Sequence, residues 1–486
     1  MTNGAGQTVY AGNVAIDGRH YTVAAPAAAT QLSEYYMNGL KIKSSTGGHW
    51  DWEVDASDFT EAQDDVRTSF GNTGIIPSSA ATAGTIAIGD GTGWKNLDLR
   101  GDFRPDGNLN STHQLSFGYH VDDYILQSIT DSLMSGSNWN SSAPGTLFLN
   151  SMGQTQTQAL YIQDAWKMAQ AWKLIVGGRL ENWQAFDGSN YANGSNVVYQ
   201  NRSFNAISPK ISLSYQASED WDFRGSFGRG TRFPTVGELF ANVGLTNLST
   251  GTTPTPAQVM ALPAPYNQPT NNPDLLPETV DAWELTAERW LGSGLWRNSL
   301  FTEFKQNALI SQTDVMTLPG YAINTVQNVD GVRTIGYESV LEMNDLWKRG
   351  LDFSGSVTLV NSIITADARN PGLVGTLQPR IPDFRTTLTG TYHINERLLF
   401  SVDYRFSGRQ HVALYNTATH SYTDPNPDVY GNTVSDYSVV DAKVLYKVGK
   451  RWSASLGANN ITNCQYFVNP NPYPMRTWFA SGKYDL

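Results

Sequence analysis

The feature that most constrains how this chain can fold is the rhythm of its connections. Alternating runs of about 10–18 residues follow one another to the end of the chain, and the segments between them are by turns short and long. The short ones fall at 46–50, 104–110, 167–173, 217–220, 291–297, 344–350, 393–397 and 448–451. The long ones lie near 67–92, 130–152, 187–201, 235–277, 312–330, 366–382, 411–434 and 466–475. A soluble sandwich has no reason to keep such an alternation. A transmembrane antiparallel β-barrel does, because its turns are tight on one side of the membrane and its loops are longer on the other. The expected fold is all-β, one barrel domain over residues 1–486, with about 18–19 strands.

Composition agrees. Aromatic residues reach 12% and charged residues only 16%, against about 25% charged in a typical soluble domain. Much of the surface therefore faces something other than water, yet no stretch approaches the roughly 18–20 unbroken apolar residues of a spanning helix. Barrel strands satisfy both observations, since only alternate residues meet lipid. The net charge of −11, with no Lys/Arg cluster to offset it, argues against a nucleic-acid partner. A single cysteine, Cys464, rules out an internal disulfide and a CxxC metal or redox site. Residues 1–20 lack the basic start and apolar run of a signal peptide. Asp17-Gly18 between two alternating runs reads as a hairpin over residues 8–26.

Phase assigns the faces. Phe400, Val402, Tyr404 and Phe406 alternate with Ser401, Asp403, Arg405 and Ser407. Asp441, Lys443 and Lys447 lie opposite Ala442, Val444, Tyr446 and Val448. An Arg or Lys on the lipid face at mid-membrane costs roughly 2–4 kcal/mol, so the charged phase belongs to the lumen. Asp164 departs from this, sharing a phase with Leu160 and Ile162 close to a turn. Trp50, Trp52, Trp166, Trp172, Trp221, Trp290, Trp296, Trp347 and Trp452 all lie in or beside the short turns, as an aromatic belt at one interface requires.

Two phrases punctuate the middle of the chain. GSFGRGTRFPTVGELF (225–240) is a strand that stops at Pro234, since proline cannot donate to a ladder. NPDLLPE (272–278) precedes the next strand, across a polar segment without periodicity. Together they resemble the paired phrases that bracket a large extracellular loop in TonB-dependent outer-membrane receptors. The stretches at 161–167 (YIQDAWK), 207–215 (ISPKISLSY), 436–446 (DYSVVDAKVLY) and 456–466 (LGANNITNCQY) are similar to late barrel strands of that family. The terminal run, with Trp478, Ala480, Gly482, Tyr484 and Leu486 in one phase, resembles its assembly signal, which usually ends in Phe.

The resemblance implies a Gram-negative outer-membrane receptor that takes up a ferric siderophore or similar iron chelate, energised through TonB. Its expected partners are that chelate, the TonB complex and outer-membrane lipid, with a monomeric barrel. Family members also carry an N-terminal plug and a TonB-binding box, which have no counterpart in these residues. The expectation is thus the C-terminal majority of a 22-strand receptor. Bulky chelates are met in that family by aromatic and Arg side chains of the loops and upper wall. Here that selects Trp139, Trp183, Tyr191, Arg232, Tyr266, Tyr321, Arg409, His411, Tyr415 and Tyr430. Haem receptors of the family tend to place a histidine between the two phrases, and residues 235–271 contain none.

No catalytic constellation competes. GxSxG, HExxH and GxxxxGK[ST] are absent, and the seven histidines do not pair at metal-ligand spacing within one element. No cofactor or resident metal is expected. A passive porin-like channel is the alternative reading, and an outer-membrane hydrolase a remote one.

Overall fold

The computed structural model describes residues 12–16, 19–23, 28–69, 83–134, 138–192, 194–241, 245–247, 271–314, 321–411, 414–417, 420–422, 436–468 and 471–485. Among them the wall strands are β1 (Ala29–Lys43), β2 (Trp50–Ser69), β3 (Gly93–Phe103), β4 (His113–Leu133), β5 (Pro144–Ala169), β6 (Trp172–Ala192), β7 (Arg202–Gln216), β8 (Trp221–Arg232) and β9 (Glu278–Trp290). They continue as β10 (Gly294–Asp314), β11 (Tyr321–Met343), β12 (Leu351–Ala366), β13 (Phe384–His393), β14 (Leu398–Ser407), β15 (Tyr437–Lys447), β16 (Trp452–Asn459) and β17 (Thr477–Tyr484).

Each wall strand pairs antiparallel with the next, and the order comes round to set β17 beside β1. The ring contains twenty strands, three of them short pieces (Gly84–Ile88, Ser195–Val198 and Leu245–Asn247), leaving seventeen wall strands among the described residues. The expected hairpin forms, with Gly12–Ile16 paired to Arg19–Val23 as a separate two-stranded sheet. The seam differs from the rest of the wall: every residue of β1 is exposed, and no registered ladder joins it to β17 among the described residues.

The connections at one end are tight and those at the other longer, as the sequence rhythm requires. Three expected loops are shorter than their sequence suggests. Thr130–Leu133 and Pro144–Met152 lie in β4 and β5, Asp187–Ala192 in β6, and Gln312–Asp314 and Tyr321–Asp330 in β10 and β11. These strand ends stand above the apolar band, so neither face there need be apolar, and the period-two signal disappears while the ladder continues.

The two faces separate as predicted. Outward, Leu160 (60% exposed), Ile207 (65%), Leu285 (66%) and Leu300 (58%) form part of an apolar girdle. Such a continuous apolar surface is far larger than a soluble monomer tolerates, and lipid is its natural solvent. Above the girdle the same face turns polar: Gln156 donates to Asp123 at 2.8 Å and Asn182 to Asn205 at 2.9 Å. Inward, ion pairs lace the wall, among them Arg179–Glu181 at 2.8 Å, Arg229–Asp281 at 2.6 Å, Arg297–Glu288 at 2.6 Å and Arg405–Asp441 at 2.6 Å.

The belt is present with one correction. Trp50, Trp166, Trp172, Trp296 and Trp452 are exposed on the outer phase beside the turns, but Trp290 shares its phase with Glu284 and Glu288 and faces the lumen mouth. Asp164 does lie on the outer phase, where its carboxylate is met by His113 Nδ1 at 2.7 Å. His113 in turn stacks on Trp166, centroids 5.4 Å apart, so this acid is partnered where it approaches lipid.

Candidate functional site

Among the described residues the buried apolar clusters sit at the loop end rather than along a central axis, and the two sequence phrases build the largest of them. Pro234 stops β8, and the next four residues form a capping box: Thr235 Oγ1 accepts from Glu238 N at 3.2 Å, while Glu238 Oε2 accepts from Thr235 N at 2.9 Å. One helical turn results, α1 (Val236–Phe240). Glu238 also pairs with Arg232, which fixes the end of β8 against the helix it leads into. The Thr-x-x-Glu signal at 235–238 was legible in the sequence, and the strand reading passed over it.

α1 packs against β4, β5 and β6 on the lumen side. Trp183, in phase with the lumenal Arg179 and Glu181, stacks on Phe204 at 5.8 Å and on Phe233 at 5.7 Å. Leu239, Phe240 and Leu275 close over it, with Leu239 and Leu275 at 0% exposure. The Phe240 ring lies on Gly153 and Gly188, where a Cβ would come within 2.2 and 2.3 Å of ring carbons. A side chain at either glycine would expel the ring.

The second phrase is tied to the first by side-chain amides. Asn271 Nδ2 donates to Leu239 O at 2.5 Å, and Tyr199 Oη donates to Asn271 Oδ1 at 2.7 Å. Arg202 reaches the carbonyls of Pro273 and Leu275. Asn328 brackets Leu276, accepting from its N–H at 2.8 Å and donating to its carbonyl at 2.9 Å. Asn190, fully buried, donates to Phe240 O and, at 3.1 Å, to Ser151 Oγ. These bonds satisfy backbone groups that leave the ladder, and they clamp both ends of the large loop over the lumen.

A second cluster lies under the connections after β12 and β14. Ala308, Val329, Val332, Ile364 and Leu373 form its base, with Leu414 and Tyr415 packed on it. His411 stacks flat on Tyr422, centroids 3.7 Å apart and planes at 7°, and Tyr415 meets Tyr422 edge-on at 5.1 Å. Tyr422 Oη accepts from Leu377 N at 2.8 Å, and His411 O accepts from Arg380 N at 2.7 Å. All three rings remain partly open, and Arg409 nearby in the chain is exposed.

The candidate residues therefore divide. His411 and Tyr415 come together, joined by Tyr422, which the candidate set lacked although it shares their loop. Trp183 and Trp139 are packing residues, 2% and 4% exposed. Trp139 fills a third cluster with Ile86 and Leu133. Both have their ring faces covered and present none to a ligand in this arrangement. Arg232 holds α1, and Tyr191 is half-buried in β6 opposite Asn150. Tyr321 pairs with Asn247, while Tyr266 and Tyr430 lie outside the described residues. No group of three His, Cys, Asp or Glu side chains able to hold a metal occurs among the described residues. The rim offers aromatic faces, an imidazole and a guanidinium, which is chemistry for holding a ligand rather than transforming one.

An antiparallel barrel with an apolar girdle outside, a charge-laced lumen inside and loop bases folded inward is a membrane-spanning β-barrel. The comparisons sharpen the class. A family model described as TonB dependent receptor-like, beta-barrel matches residues 3–461, and the chain belongs to that family. Solved structures similar to it include the copper transporter OprC, at 13% identity with a TM-score of 0.68 over 93% of this chain and 65% of that one. The ferric yersiniabactin uptake receptor FyuA from Yersinia pestis matches at 13% identity and 0.64, covering 93% and 61%. The ferric citrate transporter FecA, unliganded, matches at 15% identity and 0.66, covering 93% and 61%. The chain thus spans less than two thirds of the length of these structures. No curated protein matches it by sequence.

Proposed function

We propose that this chain is the ligand-receiving wall of a monomeric outer-membrane receptor that takes up a ferric siderophore or similar metal chelate, energised through TonB. The observation that carries this reading is the loop-end rim, where a clamped loop base bends over the lumen beside the half-open His411–Tyr422–Tyr415 cluster. Flat aromatic faces suit a bulky chelate, and the exposed Arg409 supplies charge for an anionic one. The similar structures named for copper, ferric yersiniabactin and ferric citrate support a metal-containing cargo. The energised step belongs to a lumen-filling region on which TonB acts, with this chain as the fixed path around it.

The polar, ion-paired lumen favours a second reading, a passive diffusion channel. One experiment separates them. Cells expressing the receptor gene are grown under iron limitation with a panel of ferric siderophores and a copper chelate, with and without TonB. TonB-dependent uptake of one chelate is expected, with its binding weakened at least about tenfold by Tyr422→Ala or His411→Ala. Equal entry of small solutes with and without TonB would make the channel the better reading.

A further inference from the structure

The lipid-facing wall is not flat near the turn end. A depression of about 530 Å³ opens across β7, β8, β9 and β10, within the range of about 300–1,000 Å³ in which ligand pockets fall. Its floor is made of small residues, Gly225 and Ala287, and its flanks of Leu213, Phe223, Leu285 and Leu300. A Cβ at Gly225 would meet only Leu285 Cδ2, at 3.4 Å, so a side chain could have filled the space and glycine leaves it open. Two of the polar residues that line it satisfy each other, since Asn298 Oδ1 accepts from Tyr337 Oη at 2.7 Å.

At the turn-side end of the depression stands Arg289. It shares the outer phase with Leu285 and Ala287, is exposed, and holds its guanidinium over the Trp221 ring at 5.3 Å. Trp221 stacks on Phe223 at 5.6 Å, so the cation leads directly onto the flank of the groove. Trp296, the register partner of Arg289, spends its indole N–H on Ser339 Oγ at 3.0 Å. Lumenal arginines on the same strands each have a carboxylate: Arg224 has Glu284, Arg229 has Asp281 and Arg297 has Glu288. Among the described residues no carboxylate pairs with Arg289. A cation on the outer face at the interface, without a carboxylate partner among the described residues and continuous with an apolar groove, matches a molecule with one anionic group and a long apolar chain.

We propose that this groove is a site for one glycerophospholipid of the turn-side leaflet, with an acyl chain over Gly225 and Ala287 and the phosphodiester on Arg289. Barrel turns of this kind face the periplasm, so the occupant comes from the phospholipid leaflet. Arg289 supplies the charge-assisted contact and Trp221 holds the guanidinium in place.

The test uses the full chain extracted from outer membranes, delipidated in mild detergent and titrated with 1-palmitoyl-2-oleoyl-phosphatidylglycerol under native mass spectrometry. A first lipid should bind at least about tenfold more tightly than later ones. Arg289→Gln, which removes the cation, and Gly225→Leu, which fills the groove, should each abolish that preference, while Arg229→Gln in the lumen should not. Dioleoylglycerol, with the chains and no phosphate, should not show it. Equal first-site binding of dioleoylglycerol, no distinguishable first lipid on the wild-type chain, or an unchanged first site in either variant overturns the proposal. Mobility on unheated gels verifies that each variant keeps its barrel.

Discussion

Removing the Phe240 ring should free the large loop while leaving the barrel intact. The ring is 3% exposed, lies on Gly153 and Gly188, and meets Tyr199 with centroids 5.7 Å apart. Truncating a Phe in such a site costs about 3–5 kcal/mol, because the rigid wall behind it cannot collapse into the space. Every 1.4 kcal/mol is a factor of ten, so local opening of α1 should become roughly 10²- to 4 × 10³-fold more frequent. Hydrogen exchange reads this directly at the amides of Leu239 and Ala241, which bond to Thr235 O at 3.1 Å and Gly237 O at 2.9 Å. In Phe240→Ala their protection should fall by that factor while amides of β7 and β8 within the apolar girdle keep theirs. Gly188→Ala should do nearly the same, since its Cβ would intrude to 2.3 Å from the ring. Once the ring is absent, Gly188→Ala should add almost nothing, a non-additivity expected only of residues in contact. Protection reduced less than about threefold, or lost equally across the wall, would refute the view that this ring clamps the loop base.

Four further outcomes follow from other parts of the molecule. His113→Ala should lower unfolding stability by about 1 kcal/mol in denaturant titrations from vesicles, because it strands the Asp164 carboxylate near lipid. His113→Ala with Asp164→Asn should recover most of that loss. Leu160→Arg, on the girdle at 60% exposure, should cost about 2–4 kcal/mol in the same assay, whereas a cost below about 0.5 kcal/mol would mean the face is wrongly assigned. In the turn after β3, the carboxyl of Asp106 is held below its ordinary range, chiefly by the backbone N–H of Thr112 at 2.7 Å. A depressed carboxyl stabilises this turn fully above its unfolded value near about 4, and the contribution disappears as pH falls through the lower folded value. The Thr112 amide resonance should therefore titrate below that ordinary value, and a midpoint at or above it would refute the assignment. With Cys464 replaced by Ser, Trp290→Cys should react with a membrane-impermeant maleimide and Trp296→Cys should be protected by lipid, separating the lumenal tryptophan from the belt.

Much of this architecture is written locally. A period of two forces every other side chain to one face, so the apolar and charged phases around Tyr404 and Arg405 named lipid and lumen without any knowledge of neighbours. Connection lengths named the two ends, and Asp17-Gly18 named its hairpin. The phrases at 225–240 and 272–278 pointed to the loop that matters. What they build was decided only in three dimensions. Asp164 is tolerable on the outer face because register brings His113 beside it from 51 residues away. Trp139 and Trp183 had the composition of ligand contacts, yet packing covers them, since an aromatic ring at a loop base gains more from apolar neighbours than from water. Tyr422 became part of the rim because the connection after β14 folds back onto that after β12, a contact with no period to announce it. Strand phase is a property of consecutive residues and can be read from their order. The partners of a side chain depend on register between strands and on where long loops come to rest, and only the folded chain specifies those.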